Sequence, residues 1–274
     1  MGLKVLVQFE KNDNFLGDVD LPSSSDVSAI EVVSQHNWLH PSKEDKIEIR
    51  KASLASIHTS IYDSEWLKGV IPLGSIEFIE AVLKKAYGID GLMPEQVPDK
   101  VVSNFDYWGR KVRFNVPSDM LRGTWLYLDT DKLFIKSASK VKCDYTGLYS
   151  KKDKIPADTL YTISEPIDIK SEWRVFVLRG EVRDIRNYLG DTMVIPDINV
   201  IKSIIKDIGN DIPSYTLDVG VLSESNKTVI IELHNFISCG LYGAELPISM
   251  YSIAYRHELN KHLNKGYKIR RDIK

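Results

Sequence analysis

Residues 229–243, VIIELHNFISCGLYG, constrain this chain more than any other stretch. An apolar run carries Glu232, His234 and Asn235 to the mouth of a small-residue loop. Just upstream, residues 215–222 (YTLDVGVL) form a second apolar run with one acid, Asp218, in its middle. An ionised carboxylate taken out of water is costly unless a cation or a hydrogen-bond donor answers it. Two neighbouring apolar strands that each carry an inward acid therefore call for cations. Magnesium suits them, because it takes hard oxygen ligands from one or two carboxylates plus substrate phosphates. The two runs together point to a magnesium–nucleotide site.

Composition narrows the class. The chain has 274 residues, 43% hydrophobic and 27% charged, enough for one sizeable core or two modest ones. With 36 basic and 38 acidic residues the net charge is -2, which advertises neither a nucleic-acid surface nor an anionic-membrane surface. Two cysteines, Cys143 and Cys239, fit a reducing compartment rather than a disulfide framework. The apolar run in MGLKVLVQFEKND is too short for a signal peptide, and Leu6 stands where a myristoylation pattern needs Ser or Thr. No stretch approaches the roughly 20 apolar residues of a spanning helix. The expectation is a soluble, cytoplasmic protein.

Taken in order, residues 3–9 (LKVLVQF) read as a short strand, residues 13–28 as loop, and KIEIR at 46–50 as a half-exposed strand. Ile71-Pro72 is extended and Gly74-Ser75 makes a turn and cap. Ile76, Ile79, Val82, Leu83 and Ala86 then repeat at helical spacing until Gly88. Such a helix start can hold an anion, though an ordinary capped helix has the same signature. PEQVP at 94–98 is the boundary candidate, with a second segment from near Lys100. Residues 106–115 (DYWGRKVRFN) read as a solvated edge. There are no internal repeats and no low-complexity tract.

In the second segment, LFIK ends a strand on Lys136, and SASKVKCDYTG follows. A lysine at a strand end before a small-residue loop suits a phosphate. The segment lacks the G-x-x-x-x-G-K-[ST] pattern, and a strand leaving into a basic loop looks alike. Residues 160–169 (LYTISEPIDI) are a strand entering a Pro-broken hinge. In EWRVFVL (172–178), Glu172 and Arg174 share one strand face. A turn at Gly180-Glu181 returns the chain as VRDIRNYL, with Arg183 and Arg186. Arg174, set between apolar neighbours, needs an acid of the fold or an anionic ligand. Arg174 and Arg186 have equal claim to structural bridges with Asp184 or Glu181. Residues 200–208 and 251–263 read as helices, and the tail from Lys265 as basic surface. Trp173, Tyr188 and Phe236 read as core, and Cys239 as a small packed residue.

The ordered set LFIK, SEPIDI, SEWRVFV, YTLDVGVL and IIELHNFISCGLYG, spanning about residues 133–243, resembles the ATP-grasp superfamily. It looks most like the phage-associated branch marked by paired arginines and a lysine, and residues 70–88 look like that branch's N-terminal domain. Glu165 and Glu172 are seven apart, as are the hinge and ribose acids of D-alanine–D-alanine ligase relatives. The resemblance implies an α+β ATP-grasp fold, two α+β subdomains clasping ATP. An N-terminal α/β pre-ATP-grasp domain would cover residues 1–100 and the ATP-grasp domain residues 101–274.

It also implies roles. Lys136 contacts ATP phosphates and Lys142 closes the loop over them. Ser164, Glu165 and Ile167 hold adenine through the hinge, and Glu172 holds the ribose. Asp218 and Glu232 bind Mg2+. The superfamily pattern is Glu-x-Asn, but His234 occupies the third position here and Asn235 follows. A one-residue slip reverses which side chain faces the site, so both stay open as the third ligand. Arg174 and Arg186 hold the transferred phosphate or the substrate carboxylate. Ser238 and Gly240 lie in a loop that approaches the substrate, and Arg110 or Lys100 supplies a further ATP-side base.

The implied reaction is an ATP-dependent carboxylate–amine ligation through an acylphosphate, on small-molecule or peptide substrates, with no nucleic-acid or membrane partner. It needs no nucleophilic side chain, in agreement with the lack of a Gly-x-Ser-x-Gly or reactive-cysteine signature. A second class is a nucleotide-binding or interaction protein that keeps the scaffold with weakened catalysis, His234 being the sign of drift. A nucleic-acid enzyme is disfavoured by the near-neutral charge, despite the lysines of 136–154.

Overall fold

Four of the five side chains of Lys4–Gln8 (β1) are buried, which suits a strand covered on both faces. After it, Glu10–Lys11 (β2) makes a two-residue antiparallel ladder with Asp20–Leu21 (β3), inside the stretch expected to be loop. Glu48–Ala52 (β4) and Ile71–Leu73 (β5) flank β1, both parallel to it, in the order β4-β1-β5. The computed structural model describes residues 3–11, 20–21, 47–128, 130–141, 145–237 and 239–263. Its chain divides into two units. One is drawn from Met1–Leu92, Pro213–Tyr215 and Asn235–Leu263, the other from Met93–Ile212 and Thr216–His234.

In the first unit, Leu54–His58 (α1) and Ser64–Lys68 (α2) begin on caps: Ser53 accepts the Ser56 N–H and Asp63 accepts the Glu65 N–H. Neither is visible in the sequence, because five residues carry too little periodicity to register. Ile76–Tyr87 (α3) is the helix expected. Ser75 caps it, and Gly88 closes it in the left-handed region at φ 70°. Phe78, Ile79, Val82, Leu83 and Ala86 are its buried stripe. Its first donors are taken by protein groups: Ser75 N–H donates to Gln8 Oε1 at 2.7 Å and Phe78 N–H to Ser75 Oγ at 3.2 Å. The ordinary cap thus describes this turn. The helix Ile248–Leu263 belongs to the same unit and buries Glu258, which accepts from Lys261 at 2.9 Å.

The second unit opens with two short helices, Asp99–Val102 (α4) and Phe105–Trp108 (α5). Val112–Pro117 (β6) leads through a 3-10 turn into Leu121–Leu128 (α6), a helix the sequence did not announce. Lys132–Ser137 (β7), Gly147–Ser150 (β8) and Leu160–Ser164 (β9) complete a four-stranded antiparallel sheet in the order β6-β9-β7-β8. Val116, Leu121, Leu128, Leu133, Ile135, Tyr161 and Ile163 are its core.

The second four-stranded sheet, ordered β11-β10-β12-β13, comprises Ile169–Leu178 (β10), Glu181–Gly190 (β11), Ser214–Leu222 (β12) and Thr228–Asn235 (β13). The β10–β11 hairpin turns on Arg179 and Gly180, at φ 52° and 76°, one residue before the turn expected from sequence. Having both central residues in the left-handed region gives the turn whose twist matches the flanking strands. At the far end only glycine fits at 190, where an added Cβ would stand 2.1 Å from the Lys170 carbonyl oxygen. Ile198–Ile208 (α7) buries Ile201, Ile204, Ile205 and Ile208 at helical spacing. Every residue of β12 from Ser214 to Val221 is buried, so its acid has no open face to turn to. The whole is the α+β arrangement expected: a parallel N-terminal sheet followed by two antiparallel ones.

Candidate functional site

The acid buried in β12 meets the arginine of β10. Arg174 Nε donates to Asp218 Oδ1 at 2.8 Å and Nη2 to Oδ2 at 2.7 Å. Their side chains are 13% and 6% exposed, so this is a desolvated, two-pronged pair. The cation that Asp218 required and the anion that Arg174 required are each other.

Glu232 is answered from the other sheet. Lys136 Nζ, at the end of β7, donates to Glu232 Oε1 at 2.5 Å. Burial pushes the Glu232 carboxyl up, but Lys136, His234 and Arg174 around it outweigh that and hold it below its ordinary 4.5. The influence of Arg174 on Glu232 makes the two ion pairs one alternating set: lysine, glutamate, arginine, aspartate.

The neighbouring strand adds a third pair. In register, Arg174 stands directly opposite Arg186. Like charges facing across strands repel unless each is neutralised. Arg186 is neutralised on its own strand, where Nε and Nη2 donate to Asp184 Oδ2 at 3.0 and 2.7 Å. Of the bridges weighed from sequence, Arg186 thus takes Asp184, while Glu181 goes to Arg183 at 2.8 Å.

Tyr188 and Trp173, both read as core, are half-buried polar partners instead. Trp173 Nε1 donates to Ser171 Oγ and the Val194 carbonyl, both at 3.1 Å. The ladder shifts register between Glu172 and Trp173, so that Leu189 pairs with Glu172, Asn187 with Trp173, and Tyr188 is the extra residue of a bulge. Its hydroxyl donates to Glu172 Oε2 at 2.7 Å, and the Arg174 guanidinium lies 5.7 Å from its ring centre. Burial, the Asp218 charge and the bond to Glu172 all push the phenol well above its ordinary range, so it stays a donor. A strict alternation of faces gives no sign of this, because the bulge resets it. Phe236 is core as expected, and Cys239 is half-buried.

The hinge is tied to the edge of the first antiparallel sheet. Glu165 Oε2 accepts the Lys111 N–H at 2.9 Å, and Glu165 N–H donates to the Lys111 carbonyl at 3.1 Å. Ser164 is buried as the last residue of β9, and Ile167 is half-buried in the hinge. Of the further bases, Arg110 is buried and Nη1 donates to the Trp108 and Ile230 carbonyls at 3.0 and 2.9 Å; burial lowers it to about 10. Lys100 is exposed, 4.0 Å from Asp207. His234 is half-buried and Asn235 buried at the end of β13; Asn235 counts with the first unit. Gly240 is half-buried beside the Tyr242 ring, which an added Cβ would meet at 2.9 Å. Lys142 and Ser238 lie outside the described residues.

Sequence reading also missed Asp158. It accepts from the hydroxyls of Ser137 (2.6 Å), Ser139 and Tyr145, and from the Thr159 N–H at 2.5 Å. Ser137 Oγ in turn accepts the N–H groups of Ser139 and Lys140 at 3.2 and 2.9 Å. Burial raises the Asp158 carboxyl, but the three hydroxyls and the N–H bring it far below the ordinary range. The start of the small-residue loop after Lys136 is thereby pinned to the segment before β9. A hub of this kind leaves no trace in periodicity.

The chain belongs to the ATP-grasp family of domains. Its branch is family 2 of the ATP-grasp clade named for two arginines and a lysine, whose model matches residues 107–248, more than half of the chain. That span contains each charged residue of the network just described. No curated protein matches the chain. Among solved structures it is similar to a RimK domain ATP-grasp protein from Sphaerobacter thermophilus: 14% identity, 93% of this chain and 99% of that one, TM-score 0.48. It is also similar to D-alanine–D-alanine ligase from Bacillus anthracis: 12% identity, 96% and 100%, TM-score 0.46. A third is a RiPP-associated ATP-grasp ligase from Chryseobacterium gregarium, in complex with ADP and a leader and core peptide: 10% identity, 94% and 97%, TM-score 0.45. Among the described residues, no helix is long and apolar enough to cross a membrane.

The donor set fits a magnesium–nucleotide. Asp218 and Glu232 are hard oxygen ligands on adjacent strands, and Lys136 and Arg174 are bases of the kind that hold phosphate. Among the described residues no group of three or more His, Cys, Asp or Glu side chains is gathered as a metal cage. Magnesium needs none where substrate phosphates fill its remaining positions.

Proposed function

We propose that the chain is an ATP-dependent carboxylate–amine ligase. The observation that carries this is the alternating set Lys136–Glu232 and Arg174–Asp218, which joins the two antiparallel sheets through charges of the types that bind magnesium and phosphate. The family supports the reading.

Asp218 and Glu232 hold magnesium, which when bound draws charge off the phosphates. Lys136 and Arg174, released from the acids, turn to the phosphoryl oxygens, so the local charge balance is kept. Arg186 holds the substrate carboxylate beside them. Glu172 takes the ribose hydroxyls and the hinge at 164–167 takes adenine; Lys142 covers the phosphates, and Ser238 and Gly240 approach the second substrate.

A carboxylate oxygen of the substrate attacks the γ-phosphorus of ATP. The bond to the β–γ bridging oxygen breaks, and ADP leaves with the electron pair. An amine then attacks the carbonyl carbon of the acylphosphate. The carbon–oxygen bond to phosphate breaks, the nitrogen loses a proton, and an amide remains. The protein's part is positioning and charge stabilisation. The substrates are a small-molecule or peptide carboxylate and an amine.

The test is ADP release with ATP, magnesium and panels of carboxylates and amines. Wild type should release ADP only when both substrates are present, and Asp218→Asn should lower the rate at least a hundredfold. Nucleotide binding without ADP release on any pair would favour a binding protein on the same scaffold. Equal turnover by Asp218→Asn would refute the assignment.

A further inference from the structure

We infer that Tyr188 is a positioning residue that sets Glu172 for ribose and so gives the site its preference for ribonucleotides; this rests on the ligase reading above. Three observations carry it. The register shift at Glu172 and Trp173 makes Tyr188 the extra residue of β11. Bulges re-aim a side chain that regular alternation would place elsewhere. Its hydroxyl holds Glu172 Oε2 at 2.7 Å. Its ring lies under the Arg174 guanidinium, 5.7 Å from the centre.

One side chain therefore touches both the acid assigned to the sugar and the arginine assigned to the phosphates. A carboxylate on a strand has freedom about its own side-chain torsions. A fixed donor on one oxygen removes that freedom before any ligand arrives, which is how supporting residues sharpen recognition. A phenol that remains protonated across the working pH range can only donate to Glu172, never repel it. The carboxylate then presents an oriented acceptor to vicinal hydroxyls, and a deoxy sugar leaves that acceptor unmatched. Hydrogen bonds to charged groups contribute enough for a tenfold or greater preference.

The experiment is calorimetric binding of magnesium–ATP and magnesium–2′-deoxy-ATP to the full chain, in wild type, Tyr188→Phe, Glu172→Gln and the double variant. Wild type should prefer ATP by about tenfold or more. Tyr188→Phe should narrow that ratio three- to tenfold, mostly by weakening ATP and leaving the deoxynucleotide little changed. In the Glu172→Gln background the tyrosine change should have no further effect on the ratio, because it acts through Glu172. If wild type binds ATP and Tyr188→Phe keeps the full ratio, the positioning role is overturned and the nucleotide site stands. If Tyr188→Phe weakens both nucleotides alike, the tyrosine supports the fold rather than ribose recognition. If wild type binds neither nucleotide, the ligase reading itself falls.

Discussion

The second unit holds its acids in two opposite ways. Around Asp158, three hydroxyls and a backbone N–H grip the carboxylate. Around Asp218 and Glu232, an arginine and a lysine do so. Dipoles supplied by serine and tyrosine have nothing else to bind, so the Asp158 hub is scaffold. Cations have an alternative, because phosphate attracts them as strongly as carboxylate does. An acid paired with a base can pass to magnesium while the base passes to a phosphate, at no change in net charge. The hydrogen-bonded region shapes the loop, and the ion-paired region is ready to exchange partners.

The largest test of that contrast is Arg174→Ala. It leaves Asp218, 6% exposed, without its cation. Loss of one partner from a buried pair should destabilise the fold by about 3–5 kcal/mol in urea titration. The Arg174→Ala/Asp218→Ala double variant should lose much less than the sum of the two single changes, since the pair is coupled. Additive losses would mean the pair is not the unit described.

Next in size is Asp158→Ala, which strands three hydroxyl donors. A cost of about 1–3 kcal/mol is expected, with faster amide exchange at Ser139 and Lys140. Unchanged exchange there would show that the hub does not order the loop.

The smallest effect on stability lies at Lys136–Glu232, where the side chains are 29% and 32% exposed. Solvent screens such a pair to about 1 kcal/mol or less. Its sign against pH is definite. The folded Glu232 carboxyl lies below its ordinary 4.5, so on acidification the unfolded chain binds the proton first. The contribution is complete above pH 4.5 and is lost as the pH falls through the lower, folded value. Glu232→Gln should remove that acid-range component from the stability curve, and an identical curve would contradict the shift.

Some of this was legible in the sequence, for chemical reasons. Asp218 and Glu232 interrupt apolar runs, and only a cation-rich setting tolerates that. The helix 76–87 showed its cap, its stripe and its terminal glycine. Arg174 was legible as an arginine in need of a partner. Which base meets which acid was not, because Arg174 lies 44 residues from Asp218 and Lys136 lies 96 from Glu232. No local pattern reaches across such distances. Tyr188 was missed because a bulge breaks the alternation that strand reading depends on. Asp158 was missed because hydroxyl–carboxylate bonds have no period. The short helices α1 and α2 fell below the length at which a stripe repeats.

The most direct measurement is the binding of ATP by calorimetry, with and without magnesium, to wild type and Glu232→Gln. Exchange of partners requires magnesium-dependent binding in wild type, and a loss of about tenfold or more when the Glu232 charge is removed. Tight binding that ignores both magnesium and the Glu232 change would contradict it, and would leave the alternating charges as structural ion pairs.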